Sequence, residues 1–257
     1  MTEPWPRPNY TTGGQPASIA LIALSTVKLP DPLPISRTKH GMPVSGEGPE
    51  AIGLAVRDRA DSASFYDEVV APFTDLITGD LGDDAMARAR ETQHAYVIEG
   101  ELPDPDDLGH VQAAWALAKC VCEEGAFLVI DVYAARAHLG SEVSALAPDR
   151  AFDVMHEVTL FFEEQGDGKL AAWSLGCCKF GRPELVVLDV PVDAATEAAL
   201  LLRDVAQTLA TGERIEPGDM VAAPDGRTLV AARFAPESAP VVAIEGAAIL
   251  LQPAASS

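Results

Sequence analysis

The sequence lacks the features by which membrane and exported proteins are recognised. Its 257 residues contain no uninterrupted apolar run of about 18 residues, the length that a membrane-spanning helix requires. Residues 1–14 carry acidic and proline residues where a signal peptide has a basic and then an apolar region. These two absences predict a cytoplasmic protein with no membrane contact.

The familiar catalytic motifs are also missing. The sequence has no GxSxG elbow, no HExxH pair, no P-loop and no glycine-rich dinucleotide turn. Its five histidines are scattered, and no two of them lie four residues apart. The spacings of the four cysteines do not match the CxxC of zinc or redox sites, so small apolar packing residues are the simpler interpretation. We therefore predict no metal and no cofactor.

One pair of residues remains a catalytic candidate. His156 precedes a predicted hairpin, and Cys177 follows it. Counting outward from the Gly166–Asp167 turn brings position 156 near position 177, so a cysteine and a histidine could meet there. This arrangement defines an alternative hypothesis, a small enzyme or ligand-binding protein with a pocket near His156, Cys177 and Arg182.

The charge balance is strongly acidic. The sequence has 39 acidic and 18 basic residues, a formal net charge of −21. Such a field repels nucleic-acid phosphates and anionic membranes, and it attracts a basic protein. Residues 61–107 hold much of the acidity, and we predict that Asp75, Asp80, Asp83 and Asp84 contact a partner. The competing interpretation is that the acidity only keeps the chain soluble.

The pattern of elements predicts an α+β fold, with a mixed, largely antiparallel sheet and helices mainly on one face. We expect a flexible arm over residues 1–16, one domain over 17–252 and a frayed tail over 253–257. Residues 104–107 (DPDD) predict the start of a long helix that ends at Gly125, and residues 134–146 predict a weak helix. Asp193 is predicted to cap a second long helix. Residues 224–226 (PDG) are predicted to form a hairpin turn.

The densest structural signals run from residue 156 to residue 191. Alternating apolar positions predict a strand, and the glycines of residues 165–168 predict a turn after it. The segment with Trp173 is predicted to form the returning strand. Residues 176–183 predict a bend that places Lys179 and Arg182 in an otherwise acidic protein. These two cations either contact an anion or partner, or Arg182 pairs with a carboxylate and holds the bend.

The bend carries a resemblance. Its sequence G-C-C-K-F-G-R-P-E-L, after a tryptophan-bearing strand, resembles the motif H-T-x-G-x-x-x-F-G-x-P-E-[IL] of an uncharacterised bacterial α+β domain family. The segments AWALA and GAFLVID upstream are also similar, and the resemblance covers about residues 90–210. Trp173 and Ser174 replace the His-Thr of the family, so any role of that histidine does not carry over. Members have no established activity, and some are thought to neutralise toxins in bacterial conflict systems.

These observations favour a non-catalytic acidic protein that binds a basic protein partner, of the kind that an immunity protein represents. Two alternatives stay open: the small enzyme or ligand-binding protein described above, and a structural subunit of a larger assembly. In the last case the arm and the proline-rich loop over residues 30–48 would become ordered on contact.

Overall fold

The computed structural model of the protein describes residues 2–44, 48–223, 226–239 and 241–253. The chain forms two compact units. Unit 1 comprises Met1–Pro6 with Ser18–Phe152, and unit 2 comprises Arg7–Ala17 with Asp153–Ser257. The predicted α+β class is confirmed, with the strands distributed over two mostly antiparallel sheets rather than one.

The predicted division into a flexible arm, one domain over residues 17–252 and a tail remains a prediction. Within the predicted arm, Trp5 and Arg7 are buried. The indole Nε1 of Trp5 donates to the Arg150 carbonyl at 3.0 Å, and the Arg7 side chain donates to carbonyls of Leu209 and Ala210. Met1 and the tail residues 254–257 lie outside the described residues.

Unit 1 is built on a five-stranded sheet of order β2-β3-β1-β4-β5. The strands are β1 (Pro16–Ser25), β2 (Gly53–Asp58), β3 (His94–Pro103), β4 (Leu128–Asp131) and β5 (Arg136–Leu139). The helices are α1 (Arg37–His40), α2 (Gly48–Ala51), α3 (Thr74–Leu81), α4 (Asp83–Arg90), α5 (Gly109–Glu123) and α6 (Gly140–Ser144), with a π-helical turn at Tyr66–Val70.

The core of unit 1 includes a layer formed by α3, α4 and the π-helical turn. Ile77, Met86 and Phe65 from this layer are buried in one cluster with Leu24 and Ile130 of the sheet. Burying such side chains contributes about 1.5–3 kcal/mol each, which is why these short helices remain on the sheet although their first turns carry aspartates. The layer therefore exposes its acids while its apolar residues bind the sheet.

Two sequence predictions in unit 1 were wrong. The long helix begins at Gly109 and not near residue 104, because the Asp107 side chain accepts the Gly109 N–H at 2.8 Å and closes a turn there. Residues 134–146 form β5 and α6 rather than one weak helix. Pairing of Arg136–Leu139 with β4 outweighs the local helical pattern, since strand formation depends on the neighbouring strand more than on local propensity.

Unit 2 contains a six-stranded sheet of order β6-β7-β8-β11-β10-β9, in which only β8 and β11 run parallel among the described pairs. The strands are β6 (Thr159–Gly166), β7 (Lys169–Leu175), β8 (Glu184–Pro191), β9 (Met220–Ala222), β10 (Thr228–Arg233) and β11 (Ala248–Pro253), and the helices are α7 (Val154–Glu157) and α8 (Ala195–Ala210). The predicted hairpin is confirmed, with Phe161 opposite Trp173. In the predicted turn over residues 224–226, Pro224 and Asp225 lie outside the described residues.

Candidate functional site

The bend between β7 and β8, residues 176–183, is closed by a buried carboxylate. Glu184 Oε1 accepts the N–H groups of Gly176 and Cys178 at 2.9 and 3.2 Å, and Ser174 Oγ donates to Oε2 at 2.7 Å. Burial raises the pKa of Glu184, and these hydrogen bonds oppose that rise by stabilising the carboxylate. Glu184 thus holds the turn from inside.

The two cations of the bend are also engaged inside unit 2. Lys179 Nζ lies 2.9 Å from Glu157 Oε2, and both side chains are fully buried. Arg182, only 2% exposed, donates to the carbonyls of Thr11, Gly181, Gly212 and Glu213 at 2.8–3.2 Å. Burial therefore favours a structural role over the predicted partner contact for both residues. Arg182 thus holds the bend through backbone carbonyls.

Cys177 is poorly suited to act as a nucleophile. Burial raises the pKa of its thiol well above the ordinary value, and the nearby charge of Glu184 adds to this. The thiolate is the reactive form of cysteine, so a raised pKa suppresses reactivity at neutral pH. Its candidate partner His156 places Nδ1 at 3.0 Å from Glu157 Oε1, next to the buried ion pair. The Cys177–His156 catalytic hypothesis stays a prediction, and the raised pKa of the thiol disfavours it.

A cavity of about 650 Å³ lies in unit 2 beside this bend. Its walls include Arg182, Arg214 and Arg233, with Phe234 and Ile249 as apolar surface. The predicted pocket near His156, Cys177 and Arg182 is thus only partly matched, because among these three residues Arg182 alone lines the cavity.

An acidic groove of about 540 Å³ lies in unit 1 beside β2. Ile22 of β1, Val97 of β3 and the π-helical turn with its neighbour Phe65 supply its apolar surface. Asp58, Asp61 and Glu68 supply carboxylates, and Arg57 supplies a guanidinium. Three negative charges and one positive charge leave the lining with a net charge of −2 at neutral pH. We call this feature the acidic groove.

Strand β2, which lines the groove, is an edge strand with an open outer side. The Arg59 N–H donates to the Gln93 carbonyl at 2.8 Å and continues the β2–β3 pairing, in which Asp58 lies opposite His94. Backbone groups alternate in direction along an antiparallel strand, so those of Leu54, Val56 and Asp58 point away from β3. Leu54 and Val56 are 36% and 48% exposed, so apolar surface accompanies the open edge.

The four aspartates predicted to contact a partner lie on the helical layer of unit 1. Asp75 is in the first turn of α3, and Asp83 and Asp84 are in the first turn of α4, where negative charge is stabilised by the helix dipole. Asp80 Oδ2 accepts the N–H of Ala137 at 2.7 Å and so joins α3 to β5. All four are exposed, and none of them lines the acidic groove. Their role as partner contacts stays a prediction.

Neither a membrane span nor a metal cluster occurs in the part of the chain that the structure describes. No helix in these residues is both long and apolar enough to cross a bilayer. Within the same ranges, no three histidine, cysteine or acidic side chains are grouped as metal ligands would be.

No protein-family model, curated protein or solved structure matches this chain. The resemblance of the bend to the uncharacterised bacterial family therefore remains a prediction. The two features that stand out, the acidic groove and the cavity, are assigned from geometry alone.

Sequence reasoning placed Arg182 at a pocket but missed the other charged residues that line the two features. Asp61 and Glu68 belong to the acidic region over residues 61–107, and Asp58 lies just before it. Nothing in their spacing separated these three from the acids of α3 and α4. The one available signal was the short apolar segment at β2, which an acidic stretch follows directly. Arg214 and Arg233 are isolated in sequence, and only the fold brings them to one cavity.

Proposed function

We propose that this chain is a non-catalytic interaction protein that binds a basic, extended segment of a protein partner at the acidic groove. The observation that carries the proposal is the open edge of β2 next to the carboxylates of Asp58, Asp61 and Glu68. A cytoplasmic location remains part of this proposal.

The backbone of β2 suits the addition of another strand. An exposed edge offers unpaired N–H and C=O groups, and proteins use such edges to bind extended peptides. The outward groups of Leu54, Val56 and Asp58 would pair with the backbone of the partner segment. The register turns these three N–H groups away from β3, and none of them donates in the hydrogen bonds that the described residues make outside the strand pairs.

The side chains around the edge select the chemistry of the segment. Alternate residues of an added strand point to opposite faces, so one set would reach the groove. Apolar residues of the segment would contact Val97 and Phe65, and lysine or arginine residues would pair with Asp61 and Glu68. A basic, apolar and extended segment fits these groups best.

The overall charge argues against a second copy of this chain as the occupant. Two molecules that each carry a formal net charge of −21 repel one another, which disfavours edge-to-edge pairing. The same charge steers a basic protein towards the groove and accelerates its association at low salt. A basic toxin is the specific partner that the resemblance of the bend implies.

A titration with a designed peptide tests the proposal. The probe is a short fluorescent peptide that alternates lysine and valine, and its counterpart alternates glutamate and valine. We expect fluorescence anisotropy to show binding of the lysine peptide alone, and to show weaker binding as salt is raised. Sedimentation of the protein alone checks for self-association, and a stable dimer that buries β2 would contradict the proposal.

A matched pair of variants locates the binding. Asp61→Asn with Glu68→Gln removes two charges from the groove, and Asp83→Asn with Asp84→Asn removes two from α4. We expect the groove variant to weaken binding about tenfold and the α4 variant to change it by less than about twofold. Equal effects would mean that net charge alone attracts the peptide, and a larger effect at α4 would favour the surface predicted from sequence.

A further inference from the structure

The residues that line the unit 2 cavity carry a net positive charge, although the chain as a whole is negatively charged. Arg182, Arg214 and Arg233 contribute three positive charges to its lining, and Glu216 contributes one negative charge, which leaves +2. The whole chain has 18 basic residues against 39 acidic ones. Three guanidinium groups at one cavity are therefore unexpected in so acidic a chain. A negatively charged ligand would explain why they are grouped there.

Arg214 is fixed on the cavity wall. Its Nη1 donates to the Thr12 carbonyl at 2.9 Å, and its Nη2 pairs with Glu216. A Cβ at Gly13 would lie only 2.6 Å from Nη1, so the glycine leaves the room that the guanidinium occupies. A side chain held in this way loses little freedom when it binds an anion.

Arg233 is a second guanidinium at the cavity, and among the described residues it is not committed to an ion pair. It ends β10, is exposed, and has no acidic partner among the residues that the structure describes. The guanidinium fork matches the two oxygens of a carboxylate or phosphate, which makes arginine the preferred cation for such groups.

The rest of the cavity is suited to an apolar body. Phe234 and Ile249 are buried and line it, as does Ala248 at the start of β11. A cavity volume of about 650 Å³ is in the range of small-molecule sites, which combine apolar walls with a few convergent polar groups.

We propose that this cavity binds a small organic anion, a carboxylate or phosphate monoester attached to an apolar group. The charged end lies between Arg214 and Arg233, and the apolar group lies on Phe234 and Ile249. Arg182 contributes positive charge from behind the wall, where its donors are already bound to backbone carbonyls. The proposal does not depend on the acidic groove, which belongs to unit 1.

Three probes of similar size test it: benzoate, phenyl phosphate and the uncharged benzyl alcohol. Nuclear magnetic resonance of labelled protein follows the backbone amides of Gly13, Gly14 and Gly246, which line the cavity. We expect millimolar benzoate or phenyl phosphate to shift these resonances, and the stronger of the two identifies the preferred charged group. Benzyl alcohol is expected to shift them far less.

Variants distinguish binding at this cavity from a general attraction of anions to positive charges on the protein. Arg233→Gln is expected to weaken binding of the anionic probe about tenfold, because it removes a charge-assisted hydrogen bond. Arg203→Gln on α8 makes the same charge change at a residue that pairs with Asp204 and lies outside the cavity lining, and it is expected to leave binding unchanged. The groove variant Asp61→Asn with Glu68→Gln is likewise expected to bind the probe normally.

Three results would overturn the proposal. The glycine resonances could remain unshifted by both anions, benzyl alcohol could shift them as strongly as the anions, or Arg233→Gln could bind as the unchanged protein does. Each result can be obtained whether or not the acidic groove binds a peptide, so the two proposals fail separately.

Discussion

Buried charges at single residues hold the bend of unit 2 together. Lys179 and Glu157 face each other at 2.9 Å, and both side chains are inaccessible to water. A buried ion pair adds little net stability compared with apolar residues, but removing one partner leaves the other charge uncompensated. The bend is therefore sensitive to the loss of either charge.

The first prediction concerns this pair. Lys179→Met is expected to lower the free energy of unfolding by about 3–5 kcal/mol, because the Glu157 carboxylate stays buried without its cation. The double variant Lys179→Met with Glu157→Gln is expected to lose less than the single one. Urea unfolding followed by circular dichroism measures both, and a double variant less stable than Lys179→Met would count against the structural role of the pair.

A second prediction concerns the backbone of the bend. Gly181 has φ +64°, and an added Cβ would lie 2.3 Å from the Gln15 carbonyl oxygen. Gly168 has φ +70° with no atom within 4 Å of such a Cβ. Gly168→Ala is expected to cost about 1–2 kcal/mol for the left-handed conformation alone. Gly181→Ala is expected to cost about 1–3 kcal/mol more because the backbone must move. Equal losses in urea unfolding would refute the proposed contact.

At the scale of elements, β2 determines whether the groove can bind an extended segment. The N–H of Val56 points outward from the sheet, whereas that of Ala55 points towards β3. Proline lacks an N–H and is tolerated on edge strands where that group faces solvent. The two neighbouring positions therefore respond to proline in different ways.

This difference gives a third prediction. Val56→Pro is expected to keep the fold but to abolish binding of the lysine–valine peptide, because it removes an outward donor. Ala55→Pro is expected to lower stability by about 1–3 kcal/mol, because it breaks a hydrogen bond to β3. Thermal unfolding and fluorescence anisotropy measure the two effects. Full peptide binding by a folded Val56→Pro variant would rule out strand addition.

Elements with strong local patterns were predictable from the sequence. The alternation on both sides of the glycine turn predicted the β6–β7 hairpin. The second long helix was also predicted, but its N-cap is Ala194 and not Asp193. The segments at residues 104–109 and 134–146 were not predictable, because a side-chain turn at Asp107 and pairing with β4 decide them. The open edge of β2 is a property of strand order, which the local sequence does not contain.

At the scale of the whole molecule, the sequence indicated the sign of the charge but not its distribution. Lys179 and Arg182 were predicted as possible partner contacts because cations are rare in this acidic chain. Both are buried in the bend. The cations at the cavity, Arg214 and Arg233, stand apart in sequence and meet only in the fold. The acids of the groove likewise differ from those of α3 and α4 only in their position next to the edge of β2, which the fold determines.

The most direct measurement of the central proposal is amide hydrogen exchange with and without the lysine–valine peptide. If the peptide adds as a strand, exchange of the outward amides of Leu54, Val56 and Asp58 slows, and the first turns of α3 and α4 remain as they were. If exchange at β2 is unchanged while the peptide binds, or if protection appears at Asp75, Asp83 and Asp84 instead, the groove is not the site of binding.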